Sequence, residues 1–284
     1  MNWLLLTIAS AVTGAIARIL QKVLLKNKDS DLFAFSFIFQ MVVAAIFLIY
    51  AVLTRSVELP NLTGLGFNIF IMALFYGLGN VFTFKAFKVA EASEVAVIFA
   101  SSSVWSVLAA LVMLSEKLTT KSVFGIMLVV LGIASINLSR HAWRVNKGHL
   151  YALLGAILFG IAFTNDAYII GRYTSIPSYM VLAFTLPAFI SLLASPQSIK
   201  NIPQYTSGSI LMKLSLCTFF YAISSITIFA AYKAGGPASI ISPIQQTSII
   251  FTVVLGYLFL NERDNVLKKI IGTVLTFLGV LLLI

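Results

Sequence analysis

The chain has 284 residues, 60% of them hydrophobic and 10% charged, with a mean hydropathy of +1.02 and a net charge of +10. Soluble domains carry about a quarter charged residues, so these few cannot cover a water-facing surface of this size, and a bilayer is the simplest apolar surrounding. The basic excess does not point to nucleic acid: most Lys and Arg sit in short connectors between apolar runs, and no basic-plus-aromatic module accompanies them.

Apolar runs of spanning length, about 20 residues, recur along the chain. The first covers about 2–25 and is closed by Lys26-Asn27-Lys28-Asp29. It has no basic leader, so it reads as a retained span rather than a signal peptide. The second covers about 32–54, closed by Arg55 and the turn at 58–61. The third (65–88) and fourth (93–114) flank the tight Glu91-Ala92-Ser93-Glu94 turn, and the fifth covers 121–138. A basic connector with Arg140, His141, Arg144 and Lys147 precedes the sixth run at 149–171. The seventh (177–194) stops at Ser195-Pro196, and the eighth (208–232) at Gly235-Gly236-Pro237. The ninth and tenth cover 237–260 and 266–284. Runs so long and uniformly apolar are helices, not barrel strands. The expected fold is all-α: a polytopic membrane protein of ten transmembrane helices.

The two halves read alike. Phe87-Lys88, Ser93, Glu116-Lys117, Gly125 and Gly132 are matched by Tyr232-Lys233, Ser239, Glu262-Arg263, Gly272 and Gly279. Glu116 and Glu262 stand 146 apart, and each glycine pair 147 apart. This divides the chain into a five-helix repeat at 1–139, the connector 140–148, and a second repeat at 149–284. Five is odd, so the second repeat enters the membrane upside down. Inverted repeats of this kind place a solute site at the midplane between the halves and exchange conformations to give alternating access.

On these residues the chain resembles the EamA-like branch of the drug/metabolite transporter superfamily. The acidic–basic pairs Glu116-Lys117 and Glu262-Arg263, the glycine pairs and the aromatic–Lys ends of spans three and eight carry the resemblance. It implies a ten-helix carrier of small metabolites, often an exporter of amino acids or similar compounds. The chain departs from the family pattern at Ser115 and Asn261, where Gly usually precedes the Glu, and at Ser103 and Ile249, where Pro is common.

Polar groups inside spans are costly and by default face the bundle interior. Asp166 is the one acid well inside a span. Its readings are a proton-coupling site or partner for a cationic solute, against a helix–helix hydrogen bond or snorkelling. Arg18 reads as a clamp for a substrate carboxylate or as a snorkelling cation beside Lys22 and Lys26. Asn80, Asn165, Gln245 and Gln246 are candidate solute contacts, with Pro243 breaking the helix before the two glutamines. Ser102 and Trp105 occupy the matching stretch of span four; close packing is the alternative for both. Lys85 is expected to pair with Glu91 and Glu94 across the turn. Glu116 and Glu262 read as helix-end anchors, and the glycine pairs as contacts between spans five and ten.

Two histidines beside one loop (His141, His149) and a single cysteine, Cys217, are too few for a zinc site. No Walker motif or nucleophile elbow is present. An enzyme, a cofactor and a metal are therefore not expected. The expected partners are a small-molecule solute and membrane lipids, in a monomer or homodimer placed in a prokaryotic inner membrane. Thirteen Lys and Arg flank the odd connectors and five the even ones. The positive-inside rule then puts both termini outside, whereas the resemblance puts them inside; parity requires only that they share a side.

Overall fold

The computed structural model describes residues 2–26, 30–58, 64–113, 119–137, 146–170, 175–206, 208–234, 245, 247–262 and 266–282. Its helices are α1 (Trp3–Leu25), α2 (Leu32–Leu53), α3 (Gly66–Val89), α4 (Ala92–Phe99), α5 (Ser102–Met113), α6 (Thr120–Asn137), α7 (Lys147–Ile170) and α8 (Ile176–Leu193). A 3-10 segment, Pro196–Tyr205, leads to α9 (Gly208–Lys233), α10 (Ser248–Phe259) and α11 (Val266–Leu282). Among the described residues there is no strand.

Length and apolar character alone mark seven membrane crossings: α1, α2, α3, the run Ala92–Ala109, α7, α8 and α9. The helices α6 and α10 contribute shorter apolar stretches, Thr120–Gly132 and Ser248–Phe259. The helix starts are set locally. Asn2, Asp31 and Ser175 each accept a backbone N–H of the first turn through the side chain, the usual N-cap contact.

The packing has the symmetry of the repeat. Helix α3 packs on α7 and α1 on α9; α5 packs on α7 and α1 on α10; each pair becomes the other when the halves exchange. Helix α4 packs on α10, and equivalent helices pack on each other, α2 on α8 and α6 on α11. They do so antiparallel. Phe37 meets the Phe189 ring at 5.9 Å and Phe47, ten residues on, meets the earlier Phe184 at 5.7 Å. A helix antiparallel to its own repeat mate means that the two halves are inverted.

The α6–α11 seam rests on the predicted glycines. A Cβ on Gly132 would stand 2.8 Å from the Gly272 carbonyl oxygen, and one on Gly279 would stand 2.7 Å from that of Gly125. Both distances are shorter than real Cβ atoms tolerate, so only glycine lets these backbones touch. Lipid tails are as apolar as leucine, and close backbone approach replaces the hydrophobic effect as the source of helix association.

Span four is not the continuous helix the sequence suggests. It breaks at Ala100-Ser101, between α4 and α5, where the Val104 and Trp105 amides both donate to the Ser101 carbonyl, at 2.9 and 3.2 Å. Residue 247, which is 146 further on, repeats the pattern: Ile250 and Phe251 both donate to the Thr247 carbonyl, at 2.9 and 3.3 Å. The expected break at Pro243 lies outside the described residues; the described discontinuity of span nine is at Thr247. Neither break carries a Gly or Pro, so the breaker rules of sequence reading pass over both.

Candidate functional site

The two breaks bring Ser102 and Ser248, repeat mates and 2% and 1% exposed, to the first residues of α5 and α10. Arg18, near the middle of α1, reaches this level and donates from Nη1 to the Ser248 Oγ at 2.9 Å. That contact turns the guanidinium toward α10. Tyr221 of α9 lies within electrostatic reach of it. Its ring packs edge-on against Phe39 at 5.1 Å and Phe184 at 5.8 Å.

Asp166 sits on α7 towards the opposite end of the bundle. The Tyr76 hydroxyl donates to its Oδ2 at 2.5 Å, and the Tyr179 hydroxyl donates to its Oδ1. Two phenols on α3 and α8 therefore hold the carboxylate, and charge-assisted bonds of this kind are among the stronger ones. Its neighbour Asn165 is fully buried, accepts from the Asn68 side chain at 2.7 Å and donates to the Asn68 carbonyl at 2.8 Å. Tyr76 and Tyr221 are 145 apart, the same spacing that relates Lys88 to Lys233. One half thus places its tyrosine on an acid and the other beside a base.

Asn80 donates to the Gln40 Oε1 at 3.1 Å, and Gln40 in turn donates to Ser36 and Ser191 at 3.0 and 3.2 Å. This network ties α3, α2 and α8. Ser101 Oγ, Trp105 Nε1 and Gln245 Oε1 are buried with no hydrogen-bond partner among the described residues. Such groups cost about 1–3 kcal/mol each when unmet. All three lie at the breaks of spans four and nine. Gln246 lies outside the described residues.

Lys85 requires a correction. It does not pair with Glu91 or Glu94; its ammonium sits over Phe33, Phe82 and Tyr151, 5.6, 5.6 and 5.7 Å from the ring centroids. The helix turns Lys85 away from the loop that follows it, and ring quadrupoles take the place of a carboxylate. The two acids have other partners. Glu91 forms an ion pair with Lys269, and Glu94 meets His149 at 3.0 Å.

These pairs belong to a polar latch at the end of the bundle where α1 and α3 finish. Glu262, 6% exposed, accepts from the Ala92 and Ser93 amides at 2.7 and 3.1 Å and from the Ser93 hydroxyl at 2.5 Å. It caps the first turn of α4 from the far side of the molecule, where the helix dipole favours a negative charge. Lys22 donates to the carbonyls of Phe87 and Ala90, placing a positive charge on the C-terminus of α3. Glu91 lies outside the spans; burial raises its carboxyl above the ordinary range against the pull of Lys269. The reading of Glu262 as an anchor matches this geometry, while Glu116 lies outside the described residues.

The departures at Ser115 and Asn261 also find an explanation at Asn261. Its φ is +57°, in the left-handed region, and the Glu262 amide bonds back to the Gly256 carbonyl at 3.2 Å. Glycine suits such a helix end best, and asparagine tolerates it better than most residues do. Sequence reasoning missed Tyr76, Tyr179, Tyr221 and Gln40, because tyrosine and glutamine in an apolar run carry no mark of the partner they will meet.

No curated protein matches the chain. A solved crystal structure of another protein superimposes on it with a TM-score of 0.62, covering 99% of this chain and 95% of its own at 16% identity, and so shares its fold. The EamA-like transporter family matches over residues 1–138 and again over 146–284. With both halves matched and the helices packed as inverted repeats, the chain belongs to the EamA-like transporter family, a family of multi-pass membrane transporters of small molecules.

Proposed function

We propose that the protein is a secondary carrier that moves a small organic metabolite, amino-acid-like or similar, by alternating access, as an exporter in a prokaryotic inner membrane. The observation that carries the reading is the matched pair of helix breaks at Ser101 and Thr247, one in each inverted half, with Arg18 and unpartnered polar atoms beside them. Discontinuous helices at a repeat interface are where carriers place a solute. In this reading Arg18, Ser102, Trp105, Gln245 and Gln246 contact the solute, and Asn80 and Asn165 hold the surrounding helices through Gln40 and Asn68.

Asp166 is the proton-coupling group: an interior carboxylate held by two hydroxyls and no cation among the described residues. The energy comes from a proton gradient or from solute exchange. In proteoliposomes, an imposed pH gradient should drive solute accumulation by the native protein. With Asp166→Asn, solute exchange should persist and the response to the gradient should vanish. Gradient-driven accumulation that survives the substitution removes Asp166 from this role.

A further inference from the structure

Arg18 and Asp166 lie inside the bundle and neither neutralises the other. Among the described residues the ion pairs are Lys269–Glu91 and His149–Glu94; neither involves Arg18 or Asp166. Arg18 has five N–H donors, and its one described hydrogen-bond partner is the neutral hydroxyl of Ser248. A guanidinium drawn into the bundle without an anion is unfavourable. A chain that simply needed a polar link between α1 and α10 would have a cheaper one in a second hydroxyl, as Ser10 and Ser224 provide between α1 and α9. Tyr221, within electrostatic reach of Arg18, packs its ring on Phe39 and Phe184.

We infer that Arg18 is an anion site completed by the cargo, and that the cargo class is a small monovalent organic carboxylate with an apolar body. The carboxylate takes the guanidinium through paired N–H···O bonds, Ser248 supplies the hydroxyl beside it, and the ring of Tyr221 meets the apolar body. A single positive charge in a site of low polarity selects one negative charge; a phosphate dianion would bring a second charge with nothing to meet it. This deepens the carrier reading and rests on it for the word cargo, while the anion site itself is testable without transport.

The test is thermal unfolding of the full-length protein in detergent, at constant ionic strength, with benzoate, benzamide, benzylamine or inorganic phosphate as probe. Benzoate at tens of millimolar should raise the midpoint by about 2–4 °C, with benzamide, benzylamine and phosphate without effect. Arg18→Gln should abolish the benzoate shift and Arg18→Lys should keep part of it. Ser248→Asp, which supplies a built-in carboxylate, should raise the midpoint of the unliganded protein and also abolish the shift, and Arg18→Gln should cancel that gain. No benzoate shift in the native protein, an equal shift with benzamide or phosphate, or a shift that survives Arg18→Gln overturns the anion site. A protein that binds benzoate through Arg18 but catalyses no solute exchange in proteoliposomes would retain the site and lose the carrier reading alone.

Discussion

The latch at one end of the bundle and the interior at its middle handle charge in opposite ways. At the latch, Glu262 meets two amides and a hydroxyl, Lys269 meets Glu91, Glu94 meets His149, and Lys22 meets two carbonyls. In the interior, Arg18 and Asp166 have hydroxyl partners and no opposite charge among the described residues. At the latch the charges fasten one helix end to another; in the interior the proposed carrier reading gives Arg18 to the solute and Asp166 to the proton. The contrast predicts that stability depends on the latch and activity on the interior.

Glu262→Ala should give the largest loss, about 3–5 kcal/mol, because it strips a buried group of bonds from the first turn of α4. Thermal unfolding in detergent measures it, with Glu262→Gln retaining part of the stability. A loss below about 1 kcal/mol would contradict the latch. Arg18→Met should move the other way: replacing a charge that has no counter-ion by an apolar side chain of similar length should be neutral or stabilising by about 1–4 kcal/mol, while solute exchange should be abolished. A marked loss of stability would show that Arg18 is structural and erase the contrast.

Gly132→Leu offers a scale free of charge effects. Its side chain would enter the Gly272 backbone, at a cost of about 1–3 kcal/mol or more from overpacking, seen as a lower midpoint and poorer yield. Asp166→Asn keeps an acceptor for one phenol and should cost only about 1 kcal/mol in the same assay, while its effect on coupling should be complete.

The smallest effect is at Asp31, outside the spans. Burial pushes its carboxyl upward, but bonds from Asn201, Ser198 and the Ala34 and Phe33 amides outweigh burial and hold it below the ordinary carboxylate range. Its contribution is therefore complete above the unfolded value, about 4, and is lost as the pH falls through the lower folded value. Asp31→Asn, which preserves the cap, should flatten the decline of the unfolding midpoint between about pH 5 and 3. An identical acid limb in the variant would show that the bonds from Asn201 and Ser198 contribute nothing.

Much of this was legible in one dimension. Span positions, the repeat and its inversion follow from apolar length and parity, because lipid obliges the backbone to be helical and each crossing to reverse direction. The spacing of Gly132 and Gly279 foretold the α6–α11 seam, and the recurrence of Glu262 foretold an anchor. Lys85 was misjudged because a nearby carboxylate in sequence is not a nearby carboxylate in space; the helix turns its ammonium onto three rings instead.

Composition and periodicity by themselves determined that this is a membrane bundle built from two inverted halves, since those depend only on transfer from water and on the number of crossings. Which charges are satisfied was decided by tertiary structure alone. The breaks at Ser101 and Thr247, the phenols on Asp166 and the solitary guanidinium of Arg18 arise where residues from separate helices converge. A hydrogen bond depends on distances of a few tenths of an ångström between segments far apart along the chain, and no local pattern encodes them.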